Sequence, residues 1–88
     1  MKIVYTTQFK KDFKKVSKQG KDLSRLESVI ETLLNKKTLE PKYKDHPLTG
    51  RWKNHRDCHI QPDWLLIYRI KQDSLILERT GSHSDLFK

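Results

Sequence analysis

The pattern of apolar and polar residues along the chain predicts a strand, two helices and then three more strands. The opening segment KIVYT, residues 2–6, alternates β-favouring residues and therefore predicts a short strand. Phe9, Phe13 and Val16 follow at spacings of four and three, which places them in one apolar stripe of a helix. Gly20 ends this helix, because glycine tolerates the left-handed conformation common after helix C-termini.

A second helix follows after a short connection. Thr6 or Thr7 is the expected N-cap of the first helix and Asp22 that of the second, since their side-chain oxygens accept from the free amides of a first turn. The short link at residues 20–21 favours an antiparallel helical hairpin, and Pro41 lies beyond its end. The apolar residues of the second helix are Leu23, Leu26, Val29, Ile30, Leu33 and Leu34.

The second half of the chain predicts an antiparallel meander. Three strand-like runs, residues 52–60, 64–70 and 74–80, follow a loop punctuated by proline and glycine. Pro62 and Asp63 turn the first run into the second, and the polar segment KQDS turns the second into the third. With 88 residues there is room for one domain, so the prediction is a single α+β domain in which the helical hairpin packs on a twisted antiparallel sheet.

Strand alternation separates the residues of the first run into two faces. Cys58 and Ile60 form a core pair that faces the helices, whereas Asp57 and His59 point to the opposite face. In the last run the same alternation separates Leu75, Leu77 and Arg79 from Ile76, Glu78 and Thr80, without deciding which set faces the helices.

Charge narrows the classes of partner. The formal net charge is +8, and such a field attracts nucleic acid, acidic proteins or anionic membranes. A single cysteine excludes an internal disulfide and suits a reducing compartment. No apolar stretch approaches the roughly 20 residues of a membrane span, so a cytoplasmic protein without a membrane partner is expected.

Histidines and an arginine on a cationic sheet face suit cleavage of RNA. The reaction needs a base for the ribose 2′-OH, an acid for the leaving 5′-oxygen and a cation for the phosphorane charge. Histidine serves as either acid or base near neutral pH, and arginine offers a forked donor to phosphate. His59 and His83 are the candidates on strands, and no metal is expected because the substrate carries its own nucleophile.

Two long segments carry a distinctive series of motifs: YKDHPLTGRWKNHRDCHIQPDWLLIYRI, residues 43–70, and LERTGSHSDLF, residues 77–87. They resemble the YafQ-type ribonuclease toxins of bacterial type II toxin–antitoxin systems, in the RelE/ParE superfamily. The resemblance implies a RelE-like microbial RNase fold. It also implies cleavage of mRNA in the A site of the 30S ribosomal subunit and silencing by a cognate antitoxin protein.

The resemblance also implies site residues. His83 is expected to be the principal catalytic residue and general acid, while Arg79 stabilises phosphate charge. On the substrate side, Asp57 orients a histidine, Phe87 contacts a base, and Lys44 and Lys53 contact RNA. His46, His59 and Asp63 position or deprotonate the 2′-OH.

Three questions stay open at the level of sequence. A gyrase-inhibiting toxin on the same scaffold has no need of a histidine cluster, so His46, His59 and His83 together count against it. A catalytically silent RNA- or ribosome-binding domain is a second alternative. The sequence also does not decide which of His46 and His59 is the general base.

Overall fold

A computed structural model describes residues 1–87, which form a five-stranded sheet and three helices. The strand order is β1-β5-β4-β3-β2; neighbouring strands are antiparallel except β1, which pairs with β5 in parallel at one edge. Among residues 1–87 no helix has the length and apolar character needed to cross a membrane. In chain order the elements are β1 Lys2–Tyr5, α1 Thr7–Lys18, α2 Leu23–Leu34, β2 His46–Pro47, β3 Arg56–Gln61, β4 Trp64–Lys71, β5 Ser74–Gly81 and α3 His83–Leu86.

The two long helices begin at the predicted capping residues, and α1 ends at the predicted glycine. The Thr6 side chain accepts a 3.0 Å hydrogen bond from the amide of Phe9, and Asp22 accepts one of 3.1 Å from the amide of Ser24. Gly20 has φ of +75° just after α1, a conformation that suits glycine. The predicted starts of both helices and the predicted end of α1 are therefore confirmed.

The buried stripe of α1 differs from the prediction. Phe9 and Val16 are buried, but the third buried residue is Asp12, and Phe13 is 37% exposed. Asp12 is tolerated because it accepts hydrogen bonds from Arg79 and from the backbone of Thr80. The helical spacing of Phe13 therefore did not predict its burial correctly. Asp12 is buried in its place because it has hydrogen-bond donors on the sheet.

The sheet buries apolar residues on both faces, very unequally. Between the sheet and the pair α1 and α2 lies the main core, to which β3 contributes Cys58 and Ile60 as predicted. The opposite face carries a small cluster of three buried residues, Leu65, Ile67 and Leu86. The main core consists of Phe9, Val16, Leu26, Val29, Leu33, Leu39, Cys58, Ile60, Trp64, Leu66, Tyr68, Leu75 and Leu77.

A β-bulge in β5 overturns the alternation expected for its last residues. Tyr68 pairs with Leu77 but Ile67 pairs with Arg79, so Glu78 is an extra residue in β5. The insertion shifts the side-chain parity by one. Thr80 consequently lies on the same face as Leu77, where its hydroxyl accepts a 2.9 Å hydrogen bond from Nε1 of Trp64 in the main core.

The segment before β3 also differs from the prediction. The strand begins at Arg56 rather than at Trp52, because Gly50–Trp52 form a turn of 3-10 helix. Within the predicted loop, His46–Pro47 form β2, which pairs with β3. The short helix α3 after Gly81 was not predicted either. These short elements carry two of the three histidines considered below.

Candidate active site

Three imidazole rings form a row on the sheet face that lies away from α1 and α2. The ring centroids of His46 and His59 are 6.4 Å apart, and those of His59 and His83 are 5.4 Å apart. Phe87 continues the row, with its ring 6.5 Å from that of His83. His46 comes from β2, His59 from β3, and His83 and Phe87 from α3 and the residue after it, so three separate segments of the chain meet here. We call these four residues the histidine row.

His46 is held by the backbone on one side and faces a carboxylate on the other. Its Nδ1 is 2.6 Å from the carbonyl oxygen of Lys44; a carbonyl only accepts, so Nδ1 carries the proton. Lys44 has φ of +50°, the left-handed conformation that ends the 3-10 turn Pro41–Tyr43. The other nitrogen, Nε2, is 3.8 Å from Oδ2 of Asp57, the residue paired with His46 across β2 and β3.

Asp57 lies buried beneath the row. Its side chain is 5% exposed, and its Oδ1 has no hydrogen-bond partner among residues 1–87. Burial raises the pKa of this carboxyl group because it penalises the charged form, and the three neighbouring histidines partly oppose the shift. A buried, incompletely bonded carboxylate costs stability, which is typical of groups retained for a function.

His83 is oriented by the β3–β4 turn. Oδ1 of Asp63 accepts one hydrogen bond of 3.0 Å from the His83 amide and another of 2.7 Å from its Nδ1. Both bonds lower the pKa of Asp63, and the bond from the backbone amide contributes more. Asp63 is therefore an ionised carboxylate that only accepts, so Nδ1 of His83 is the donor. The Nε2 atom of His83 is therefore left for other chemistry, on a ring that is half exposed.

The short helix that carries His83 is fastened at several points. Ser82 and Asp85 form a capping box, in which each side chain accepts from the other residue's amide. Lys15 of α1 donates a 3.0 Å hydrogen bond to Oδ1 of Asp85, and this bond is the main reason why the pKa of Asp85 falls to about 2. Leu86 is buried on the sheet in the small apolar cluster. Helix α1 therefore helps to set the position of His83 from outside the site.

Arg79 is not part of the row in this structure. Its Nε and Nη2 donate to the two carboxylate oxygens of Asp12, at 2.7 and 3.2 Å. The contact with Asp12 raises the pKa of Arg79, and the side chain is 23% exposed. Lys53 lies in the turn after Trp52, where its carbonyl accepts a hydrogen bond from Nδ1 of His55.

The structure thus brings together most of the residues predicted from sequence. His46, His59 and His83 share one face, with Asp57, Asp63, Lys44 and Phe87 in contact with them or adjacent. Sequence reasoning missed the supporting pairs, Asp12 with Arg79 and Lys15 with Asp85. A capping-box signal was present in the spacing of Ser82 and Asp85, but nothing local indicates which lysine of α1 meets Asp85.

Comparison with known proteins places the chain among bacterial toxins. The family model of the bacterial toxin YafQ of type II toxin–antitoxin systems matches residues 1–88. The mRNA interferase toxin YafQ of Escherichia coli K12 is 45% identical over 86 residues, covering 97% of this chain and 94% of that protein.

Solved structures agree. A copper-bound mutant toxin from Helicobacter pylori superposes with a TM-score of 0.95 at 49% identity, over 99% of both chains. YafQ in the E. coli DinJ–YafQ complex gives 0.91 at 45% identity, over 98% of this chain and 97% of that chain. The fold expected from the sequence is the one that these toxins share. The chain therefore belongs to the YafQ family of type II toxin–antitoxin toxins.

Proposed function

We propose that this protein is an endoribonuclease toxin that cuts mRNA in the ribosomal A site and is silenced by a cognate antitoxin. The observation that carries the proposal is the histidine row. Its three imidazole rings have centroids 6.4 and 5.4 Å apart, and they lie on the sheet face that α1 and α2 do not cover, in a protein with a net charge of +8. The E. coli relatives are mRNA interferases by name, which supports the same chemistry here.

The proposed reaction is a metal-independent transesterification. A base removes the proton from the ribose 2′-OH, and the oxygen attacks the adjacent phosphorus. The new O2′–P bond forms as the P–O5′ bond breaks, and an acid protonates the departing 5′-oxygen. The products are a 2′,3′-cyclic phosphate and a 5′-hydroxyl, with no change in oxidation state.

His83 fits the role of general acid. The Asp63 carboxylate accepts a hydrogen bond from Nδ1 and fixes the ring, so Nε2 is the atom from which a proton would be donated. The histidine is also exposed enough to meet a substrate, with half of its side-chain surface accessible.

His46 and His59 are the candidates for the base. His46 donates a hydrogen bond from Nδ1 to the Lys44 carbonyl, which leaves Nε2 as the ring nitrogen that can accept the 2′-OH proton. The buried Asp57 near that nitrogen would stabilise the positive charge that develops on the ring. His59 lies between the other two rings, where it would position the ribose or share the role of base.

The remaining predicted residues would contact RNA. Phe87 is 40% exposed at the end of the row and offers a face for a base, and Lys44 and Lys53 are exposed cations. Arg79 would meet the scissile phosphate through Nη1 or by leaving Asp12, because Nε and Nη2 are engaged with that carboxylate.

The proposed reaction needs no metal ion, because the RNA carries its own nucleophile. Toxins from H. pylori have been crystallised with metal, one of them with copper. In the described part of this chain, however, no three histidine, cysteine, aspartate or glutamate side chains converge as a metal site requires. The proposed acid, base and phosphate contacts are all side chains of the protein.

The partners follow from the proposed activity. E. coli YafQ is found in complex with DinJ, and a cognate antitoxin is proposed for this chain, whose positive charge suits an acidic partner. Ribosomes and mRNA would be the other partners, in the cytoplasm.

The test compares His83→Gln with His55→Gln on mRNA bound to translating ribosomes. His55 is the histidine outside the row, with its Nε2 3.6 Å from Glu78. Loss of the acid should slow cleavage by about 10²–10⁴-fold while ribosome binding persists, because general acid catalysis contributes about that factor. The His55 variant should cleave at nearly the parent rate.

Two results would contradict the proposal. One is His83→Gln cleaving as fast as the parent protein. The other is undiminished cleavage of an mRNA with a 2′-deoxyribose at the scissile nucleotide. Gyrase inhibition by the purified protein without RNA cleavage would identify the gyrase-directed alternative instead.

A further inference from the structure

A basic pocket of about 360 Å³ opens beside His59, and among its lining residues only His59 and Lys44 have a role in the mechanism above. This volume lies within the range of about 300–1,000 Å³ found for sites that hold small ligands. The pocket lies between the start of α2, the 3-10 turn Pro41–Tyr43 and the end of β3. Its lining consists of Arg25, Lys42, Tyr43, Lys44, His59, Ile60, Gln61 and Pro62.

The charge of the lining selects for an anion. Arg25, Lys42 and Lys44 bring three cations to the pocket, and among residues 1–87 its lining contains no carboxylate. Two carboxylates stand nearby: Asp22 is 3.9 Å from Nε of Arg25, and Glu40 is 3.8 Å from Nζ of Lys42. Both pairs are exposed and long, so a phosphate would displace them at little cost.

An aromatic ring accompanies the cations. Tyr43 is partly buried against the main core, which holds its ring in place. The ammonium group of Lys42 lies 5.2 Å from the centre of that ring, so a cation and an aromatic face occur together. Proteins that bind single-stranded RNA commonly combine these two features, with the cation on the phosphate and the ring under the base.

The pocket also shares residues with the histidine row. His59 lines it, and the carbonyl of Lys44 fixes the ring of His46. Phe87 lies at the opposite end of the row, beyond His83. A strand of RNA that crosses the row would thus have an aromatic side chain on each side of the scissile link.

We propose that this basic pocket, called the Tyr43 pocket below, binds a nucleotide of the RNA next to the scissile link. The base of that nucleotide lies on Tyr43, and its phosphate lies among Arg25, Lys42 and Lys44. The inference rests on the proposed nuclease function and deepens it, because it makes the pocket the source of nucleotide preference on one side of the cut. Phe87 serves the other side.

The first experiment measures binding of a short RNA that cannot be cut. A fluorescently labelled hexanucleotide with 2′-O-methyl riboses is titrated into the parent protein, Tyr43→Leu and Tyr43→Phe, each checked for an unchanged melting temperature. Tyr43→Leu should weaken binding about tenfold, since one stacked base is worth about that factor, while Tyr43→Phe keeps a ring and should stay within about twofold. Equal affinities of Tyr43→Leu and the parent would overturn the proposal.

The second experiment tests the cations by salt dependence. Arg25→Gln and Lys42→Gln should each reduce the slope of log K against log salt by about 0.7, because each phosphate contact on a single strand releases about that many counterions. Lys71→Gln is the matched control, an exposed lysine at the end of β4 outside the pocket. Slopes that fall equally in all three variants would show a diffuse field rather than a site, and would overturn the proposal.

A third measurement separates failure of the pocket from failure of the nuclease. On ribosome-bound mRNA, Tyr43→Leu should raise KM and change the nucleotide preferred next to the cut, with a smaller effect on kcat. Cleavage by Tyr43→Leu with unchanged KM and preference would overturn the pocket while leaving the nuclease intact. Absence of cleavage by the parent protein would overturn the nuclease itself.

Discussion

The two faces of the sheet differ in what they are built for. Among residues 1–87, the cluster between the sheet and the pair α1 and α2 contains thirteen buried apolar residues, including Trp64 and Tyr68. The cluster on the opposite face contains three, Leu65, Ile67 and Leu86. That opposite face also carries the histidine row and a carboxylate whose Oδ1 lacks a hydrogen bond among residues 1–87. Stability thus comes mainly from one face, and the polar groups that cost stability are gathered on the other.

The face with the small cluster of Leu65, Ile67 and Leu86, called the thin face below, holds its histidines in place in two ways. His59 lies on the six-residue strand β3 and is positioned by its pairing with Leu65 of β4, just before the register shifts between His59 and Gln61. His83 lies on a four-residue helix, which is too short to be stable alone. It depends on Asp63, on the capping box and on the ion pair from Lys15.

The largest expected effect comes from removing a main-core residue. Leu66→Ala should lower the free energy of unfolding by about 2–5 kcal/mol, because it leaves a cavity between the sheet and the helices. Leu86→Ala, on the thin face, should cost less stability than Leu66→Ala. It should nevertheless reduce the cleavage rate, because it releases α3. Urea unfolding and ribosome cleavage assays on both variants check this, and equal losses of stability would remove the distinction between the faces.

A second effect tests the contact through which α1 reaches β5. Asp12→Ala leaves Arg79 and the Thr80 amide without their acceptor, and should cost about 2–3 kcal/mol of stability. Lys11→Ala, an exposed neighbour on α1, should change stability by less than about 0.5 kcal/mol. Chemical unfolding of the two variants compares them. A cost for Asp12→Ala as small as that of the control would contradict the role of the buried carboxylate.

A third, smaller effect concerns the ion pair that fastens α3. Lys15→Gln should reduce stability by less than about 1 kcal/mol, as for other exposed pairs, yet lower kcat for RNA cleavage several-fold by loosening His83. Lys15→Arg should restore kcat, and Lys14→Gln, on the same helix without this partner, is the control. Unchanged kcat in Lys15→Gln would show that α3 is held without it.

The same pair predicts a pH dependence. The pKa of Asp85 lies below its ordinary value, so its contribution to stability is complete above about pH 4 and is lost as the pH falls towards about 2. Carboxyl NMR of Asp85 should report this titration, and in Lys15→Gln the midpoint should move up towards the ordinary value. If the titration midpoint of Asp85 does not move in Lys15→Gln, the capping box alone causes the lowered pKa.

The smallest expected change in stability, with the opposite sign, is that of Asp57→Asn. The buried carboxyl group has a raised pKa, so its ionised form opposes folding at neutral pH, and a neutral amide should leave stability equal or slightly higher. Cleavage should nevertheless fall, because the amide cannot stabilise a charged His46. Thermal melting at pH 5 and pH 7 together with the cleavage rate checks both parts; a marked loss of stability would show that Asp57 is structural.

Much of the fold followed from local signals. The caps at Thr6 and Asp22, the glycine after α1 and the turn at Pro62 and Asp63 each act through neighbouring residues, so the sequence contained the information. Three elements could not be read in this way: β2, α3 and the bulge at Glu78. Each is short or irregular, and exists because of pairing or packing with distant segments.

By itself, the sequence determined the two helices, the meander and the separation of Cys58 and Ile60 from Asp57 and His59, because helix and strand periodicity are local properties of the chain. Only the tertiary structure decided that Arg79 binds Asp12, that Lys15 holds α3 and that Tyr43 and His59 line the same pocket. These contacts join segments that are far apart in the sequence, and their geometry depends on the register and twist of the whole sheet.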